Sequence, residues 1–184
     1  ADVVFLFPGQ GAQYPGMGSG LYRSEPDYAR WIDAGAEILA PLLGRDIRAL
    51  LLGEDLSAAE AQAALRETQL TQPALFLTEV ALGQLWAQRG ITPAAAIGHS
   101  VGEFAAATLA GVMSFEAALT LIARRGQLMQ ACPSGAMLAV RATMDDLRPH
   151  LDDSVDIAAQ NAPKLQVIAG PDNAIDALQA RLDV

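Results

Sequence analysis

The run Ala96-Ile97-Gly98-His99-Ser100-Val101-Gly102-Glu103 constrains this 184-residue chain more than any other. Apolar residues lead into a Gly-x-Ser-x-Gly pentad, and an alanine-rich stretch follows it. That is the pattern of a short strand turning sharply into a helix, and it calls for an α/β architecture. The glycines beside the serine accept a strained backbone and let neighbouring chain pass closely. A serine on such a turn stands clear of the sheet, and the first amides and dipole of the helix point to where negative charge would gather. The same five residues also suit a plain Gly-rich turn with a capping serine, so the rest of the chain has to decide.

Hydrophobic residues make up 52% of the chain and charged residues 18%, which supplies a core and excludes a disordered polypeptide. No apolar run approaches the roughly 20 residues of a membrane span, and no basic segment with an apolar core opens the chain. Cys132 is the single cysteine, so no internal disulfide forms, which suits a reducing, cytoplasmic setting. With two histidines and one cysteine, a structural zinc site of the usual kind cannot be assembled. The net charge of −9, with Lys164 as the only lysine, excludes a broad nucleic-acid surface. Local arginines such as Arg124, Arg125, Arg141 and Arg148 can still hold an acidic ligand if the site focuses their charge. The chain opens at Ala1 without a methionine and stops inside a helical pattern, which reads as part of a longer polypeptide.

In chain order, Val3 to Phe7 is a continuous apolar run, expected to be a strand buried on both faces. The following Pro8-Gly9-Gln10-Gly11-Ala12-Gln13 and Gly16, Gly18 form a glycine-dense loop. It lacks the endings of a P-loop or a dinucleotide fingerprint and reads as an anion hole for a small oxygen. Ser24 is expected to cap a helix to about Leu39, with Pro26 in its first turn. Ile47 to Leu52 is a short apolar stretch ended by Gly53, and Ser57-Ala58-Ala59-Glu60 is a capping box for a helix to about Glu67. A buried helix opens at Thr71-Gln72-Pro73, passes Trp86 and ends at Gly90. Pro93 to Ile97 is a short strand into the serine turn. Val101 to Ala110 is a helix ended by Gly111, and its small residues imply close packing. Ser114 caps another helix to about Ala131.

The pattern changes at Cys132-Pro133-Ser134-Gly135. Strands are expected over Ala136–Val140, Val155–Ala159 and Gln166–Ala169, and helices from Thr143 and over Asp172–Leu182. This order is a ferredoxin-like unit without its last strand. The predicted fold is therefore an α/β, hydrolase-like core with a mostly parallel sheet over 1–131. A ferredoxin-like α+β subdomain follows over 132–184, incomplete at its C-terminus, with the active site in the cleft between them.

A serine hydroxyl needs a base to attack at neutral pH. His99 diverges from Ser100 on the same turn and reads as a packed or loop-bonding residue, while His150 lies at a helix end where a solvated cation is favourable. A serine mechanism therefore expects its base outside this chain. At this level the residues suit a serine nucleophile, as in a hydrolase such as an esterase or thioesterase, or a non-catalytic fragment.

Phe7-Pro8-Gly9-Gln10-Gly11-Ala12-Gln13, Thr71-Gln72-Pro73-Ala74-Leu75, Gly98-His99-Ser100-Val101-Gly102-Glu103, Arg125-Gly126 and Asn161-Ala162-Pro163 occur together and in this order. With them the whole chain resembles the malonyl-CoA:acyl carrier protein transacylase family, and most closely the acyltransferase domains of modular polyketide synthases. The resemblance implies that Ser100 takes the acyl group as an ester and that the amides of Gln10 and Val101 form the oxyanion hole. It implies that Arg125 holds the free carboxylate of the extender unit, for which a forked guanidinium is suited. Gln72, His99 and Asn161 match supporting positions in substrate binding. No bound cofactor or metal is implied. Malonyl-CoA or a related acyl-CoA is the donor, the phosphopantetheine of an acyl carrier protein the acceptor, and a ketosynthase the neighbouring domain. Thr71 and Val101 resemble malonyl-using members more than methylmalonyl-using ones. The family's activating histidine, which follows its ferredoxin-like insertion, has no counterpart here.

Overall fold

The computed structural model describes residues 2–53 and 56–182; the chain ends on which the expectation of a longer polypeptide rests lie partly outside them. The chain divides into two compact units, Ala1–Ala131 and Cys132–Val184. It is a mixed α/β fold with one parallel and one antiparallel sheet.

The first unit is built around a single helix. Strand β1 (Val4–Phe7) is followed by α1 (Ser19–Ser24), α2 (Pro26–Leu43), α3 (Arg48–Leu52), α4 (Ala58–Ala64) and α5 (Thr68–Gln88). Strand β2 (Ala95–Gly98), α6 (Val101–Leu109) and α7 (Phe115–Gln130) complete it. Of the 21 residues of α5, 13 are buried, and they occupy every side of the helix. That is the consequence of its nearly continuous apolar sequence, because a helix without a polar face has to be enclosed. Glycines let its neighbours come close: a Cβ at Gly35 of α2 would stand 2.3 Å from Leu77, and one at Gly83 would stand 2.4 Å from Leu109 of α6. Trp31, Phe76 and Phe115 tie α2, α5 and α7 together through edge-on and stacked rings.

Local signals set many of the helix ends. Ser57 accepts from the Glu60 amide while the Glu60 carboxylate accepts from the Ser57 amide, so the expected capping box starts α4. Ser114 caps α7 by accepting from the Ala117 amide. Gly90 and Gly111 adopt the positive φ that stops α5 and α6. Two expectations fail. Ser24 caps no helix: it closes α1, its hydroxyl donating back to the Gly20 carbonyl, and α2 starts at Pro26, whose fixed φ suits a first helical position. Helix α5 begins three residues before Thr71, at Thr68. Thr71 there donates its hydroxyl to the Leu65 and Glu67 carbonyls.

Strands β1 and β2 pair in parallel, Val4 with Ala95 through Phe7 with Gly98. One further bond extends the ladder at each end, Ala94 amide to Val3 carbonyl and His99 amide to Phe7 carbonyl. β1 is not buried on both faces. Phe7 is 8% exposed but Leu6 is 71% exposed, because among the described residues only one face of this two-stranded sheet is covered by helices.

The second unit holds β3 (Ala136–Val140), α8 (Met144–Leu147), a 3-10 turn (Arg148–His150), β4 (Asp156–Ala162), β5 (Leu165–Gly170) and α9 (Asp172–Leu182). Its antiparallel sheet runs β3-β5-β4. Leu147, Val155, Ile168, Ile175 and Leu178 form its core, and Thr143 caps α8 through the Asp146 amide.

Candidate active site

The parallel pairing of β1 and β2 brings two loops to the same end of the sheet, the glycine-dense loop after Phe7 and the serine turn after Gly98. Ser100 sits between β2 and α6 with φ 55 and ψ −113. Among the described residues it is the only non-glycine residue at positive φ. Such a backbone costs on the order of 1–3 kcal/mol and persists only where its surroundings dictate it. Those surroundings are backbone. A Cβ at Gly98 would stand 2.2 Å from the Glu103 amide nitrogen, and one at Gly102 would stand 2.3 Å from the Phe7 carbonyl oxygen. No side chain fits at either place, so the strand, turn and helix are locked with Ser100 exposed at the apex. Its hydroxyl makes no capping bond to α6.

The glycine loop lies against this apex. A Cβ at Gly9 would meet His99 Nδ1 at 2.7 Å and Ser100 Cβ at 3.4 Å, so Gly9 is required by the approach of its own backbone to the serine turn. Side chains hold the loop from behind. Gln10 Nε2 donates to Thr68 Oγ1 at 3.3 Å, Gln13 Nε2 donates to the Leu65 carbonyl at 3.1 Å, and the Gly11 amide donates to Gln13 Oε1 at 2.7 Å. Both glutamines thereby tie the loop to the α4–α5 junction, while the first-turn amide of Val101 has no intrahelical acceptor. The His99 ring lies against Gly9.

A second cluster joins α5, α6 and α7. Arg125 Nη1 donates to Gln72 Oε1 at 2.6 Å, and Gln72 Nε2 donates to Met129 Sδ at 3.2 Å. The guanidinium carbon lies 5.6 Å from the centre of the Phe104 ring, one helical turn after Ser100. Gly126 permits this: a Cβ there would stand 2.9 Å from Gln69 Cα, so α7 approaches the start of α5 at backbone distance. Gln72 is buried, and among the described residues Arg125 forms no ion pair. Arg48 shows the contrast, since it is taken up by Asp33, Glu37 and Asp46. Arg125 is a half-buried cation held over an aromatic face without an ion-pair partner among the described residues, a setting with the capacity to take an anion.

The structure thus joins Gln72 with Arg125, and His99 and Ser100 with the loop of Gln10. Asn161 lies exposed near the end of β4 in the second unit. Sequence reasoning missed Phe104 and Met129. Their signals were present as spacing, Phe104 four residues after Ser100 and Met129 four after Arg125, each one turn along its helix. Among the described residues no three His, Cys, Asp or Glu side chains gather in a way that could hold a metal ion.

Residues 4–183 match the family model of the acyl transferase domain. The chain belongs to this family. It is 44% identical over 181 residues to mycoketide-CoA synthase of Mycobacterium tuberculosis, covering 98% of this chain and 4% of that protein. It superposes on the acyltransferase domain from the second module of the salinomycin polyketide synthase with a TM-score of 0.86 and 45% identity. That match covers 99% of this chain and 42% of the solved one. The malonyl-CoA:acyl carrier protein transacylase of Synechocystis sp. PCC 6803 matches with a TM-score of 0.81 and 30% identity, over 98% of this chain and 58% of that one. The chain therefore spans less than two thirds of each of these relatives, and the solved structures it resembles include acyltransferase domains of polyketide synthases.

Proposed function

We propose that this acyltransferase chain carries the nucleophile and the carboxylate receptor of an enzyme that loads malonyl units for polyketide synthesis. Ser100 Oγ attacks the thioester carbonyl of malonyl-CoA, loses its proton to a base, and the tetrahedral intermediate expels the CoA thiolate, which is protonated as it leaves. The phosphopantetheine thiol of an acyl carrier protein then attacks the seryl ester, taking the malonyl group and returning the proton to Ser100. The amides of Gln10 and Val101 donate to the oxyanion in both halves, and loss of one such donor costs about 3–4 kcal/mol of barrier. Arg125, set by Gln72 and Met129, holds the free malonyl carboxylate, and His99 and Asn161 are supporting positions in substrate binding. By family resemblance, the base is a histidine outside residues 1–184.

The observation that carries this reading is the Arg125 guanidinium, without an ion pair among the described residues, over Phe104, which follows the strained Ser100 by one turn. A serine hydrolase of uncharged esters would have the turn and no use for the cation. The preference for malonyl over methylmalonyl rests on Thr71 and Val101. Since the Thr71 hydroxyl is bound to two backbone carbonyls, its influence acts through packing. The β3-β5-β4 order supports a ferredoxin-like reading of 132–184, beside a hydrolase-like core over 1–131. A ketosynthase as neighbouring domain and a cytoplasmic site follow from the same family; no helix among the described residues is long and apolar enough to cross a membrane.

The test is transfer of radiolabelled malonyl and acetyl groups from CoA to a carrier protein by the natural full-length polypeptide. Malonyl transfer that vanishes in Ser100→Ala, and a malonyl preference that vanishes in Arg125→Ala, are the expected results. Release of the acyl group to water at the same rate with and without carrier protein would instead establish the hydrolase.

A further inference from the structure

The first unit contains a cavity of about 410 Å³ that none of Ser100, Gln72 or Arg125 lines. Its wall is formed by Val4 to Phe7 of β1, the loop through Tyr14 and the α5 residues Leu75, Leu82 and Trp86, and it is largely apolar. Its single acidic residue is Glu79. Glu79 is 7% exposed and lines the cavity, and both of its carboxylate oxygens are buried without a hydrogen-bond partner. Tyr14, Tyr28 and Glu79 are the titratable residues of the lining, and no Lys, Arg or His is among them. A buried acid without a hydrogen-bond partner is costly, because burial withdraws the water that would solvate it; the Tyr28 hydroxyl of the same lining is likewise buried and unpartnered. Burial pushes the Glu79 carboxyl up to about 8, so at neutral pH it holds a proton that a nearby cation would displace.

The mouth has the complementary chemistry. Leu6 and Val4 of the lining lie on the exposed face of β1, and Tyr14 and Trp86 are 61% and 42% exposed. Apolar and aromatic walls leading to a carboxylate fit a charged head on a hydrocarbon stem, since the stem covers apolar surface while the head reaches the acid. The solved acyltransferase domain of salinomycin and the Synechocystis transacylase both contain polypeptide beyond the part this chain matches.

We propose that this cavity seats a basic side chain, an arginine or lysine on an apolar segment, supplied by the part of the acyltransferase domain outside residues 1–184, and that its head pairs with Glu79. The inference rests on family membership and the cavity, and stands apart from the acyl-transfer reading.

The test uses protein labelled with carbon-13 at glutamate carboxyls, the Glu79 signal being the one lost in Glu79→Gln, with Glu79→Asp as the alternative assignment should the amide variant misfold. The probe is 3-phenylpropylguanidinium, with 3-phenylpropylurea as its neutral twin. At neutral pH the guanidinium is expected to drive the Glu79 signal to the ionised position, and the urea to leave it protonated. Calorimetric affinity for the guanidinium should fall by about tenfold or more in Glu79→Gln. A guanidinium that leaves the signal unmoved, or binds Glu79→Gln equally well, overturns the proposal. So does sedimentation showing a dimer that Glu79→Gln dissociates, since a second copy would then occupy the seat. In a structure of the natural full-length polypeptide, an Arg or Lys nitrogen from outside residues 1–184 should lie within about 4 Å of the Glu79 carboxylate. Apolar groups or solvent at that place would overturn it.

Discussion

Replacing Glu79 by glutamine removes a proton that folding otherwise has to take up. In the folded chain the carboxyl is buried without a partner and is pushed from its ordinary 4.5 up to about 8, with desolvation as the cause. The unfolded chain releases that proton near its ordinary value. Between these two values the folded state binds more protons than the unfolded state, so stability falls as pH rises. The contribution is complete below about pH 4.5, declines from there to about pH 8, and is flat above it. Each tenfold gap in proton affinity is worth about 1.4 kcal/mol, so the whole decline amounts to roughly 4–5 kcal/mol as an upper figure. Glutamine keeps the shape and cannot titrate. The assay is urea unfolding of residues 1–184, without the polypeptide proposed to pair with Glu79, from pH 5 to 8.5, followed by tryptophan fluorescence, which reports the first unit because both tryptophans, Trp31 and Trp86, lie in it. The difference between Glu79→Gln and the parent should move in favour of the variant by about 1.4 kcal/mol per pH unit and level off above pH 8. A difference independent of pH would refute the reasoning, because it would mean that Glu79 is ionised or solvated in the folded chain.

Gly102→Ala forces a methyl group to within 2.3 Å of the Phe7 carbonyl, and should cost about 1–3 kcal/mol or more in urea unfolding while disturbing the Ser100 turn. Unchanged stability would show that α6 can move away from β1 freely. Arg125→Lys retains the charge but loses the planar fork, and its selectivity for malonyl over acetyl transfer should fall by about tenfold or more in competition assays. Ser57→Ala removes one half of a capping box and should destabilise the first unit by about 1 kcal/mol, with no effect on acyl transfer.

How far the sequence could be read depended on the range of the interactions. The serine turn, the Ser57 and Ser114 caps and the glycine stops of α5 and α6 were legible because a few neighbouring residues determine them. Ser24 misled because a serine can end one helix by bonding back to i−4 as readily as it caps the next. The exposure of β1 was not legible, since an apolar strand has the same composition whether one or both faces are covered. The five motifs carried Ser100, Gln72 and Arg125 through resemblance, but no local rule placed the Arg125 guanidinium on Gln72 with Phe104 beneath it. That arrangement depends on three helices meeting across a long separation in sequence. Glu79 shows the same limit: in sequence it is one acidic residue in an apolar helix, and only the packing around it removes its partners.

The central claim is that Ser100 is the residue that carries the acyl group. Intact-mass spectrometry with peptide mapping of the natural full-length polypeptide after brief exposure to malonyl-CoA tests it most directly. The account predicts one malonyl adduct, located on Ser100, absent in Ser100→Ala and discharged by a carrier-protein thiol. An adduct that persists in Ser100→Ala, or maps to another residue, would contradict it.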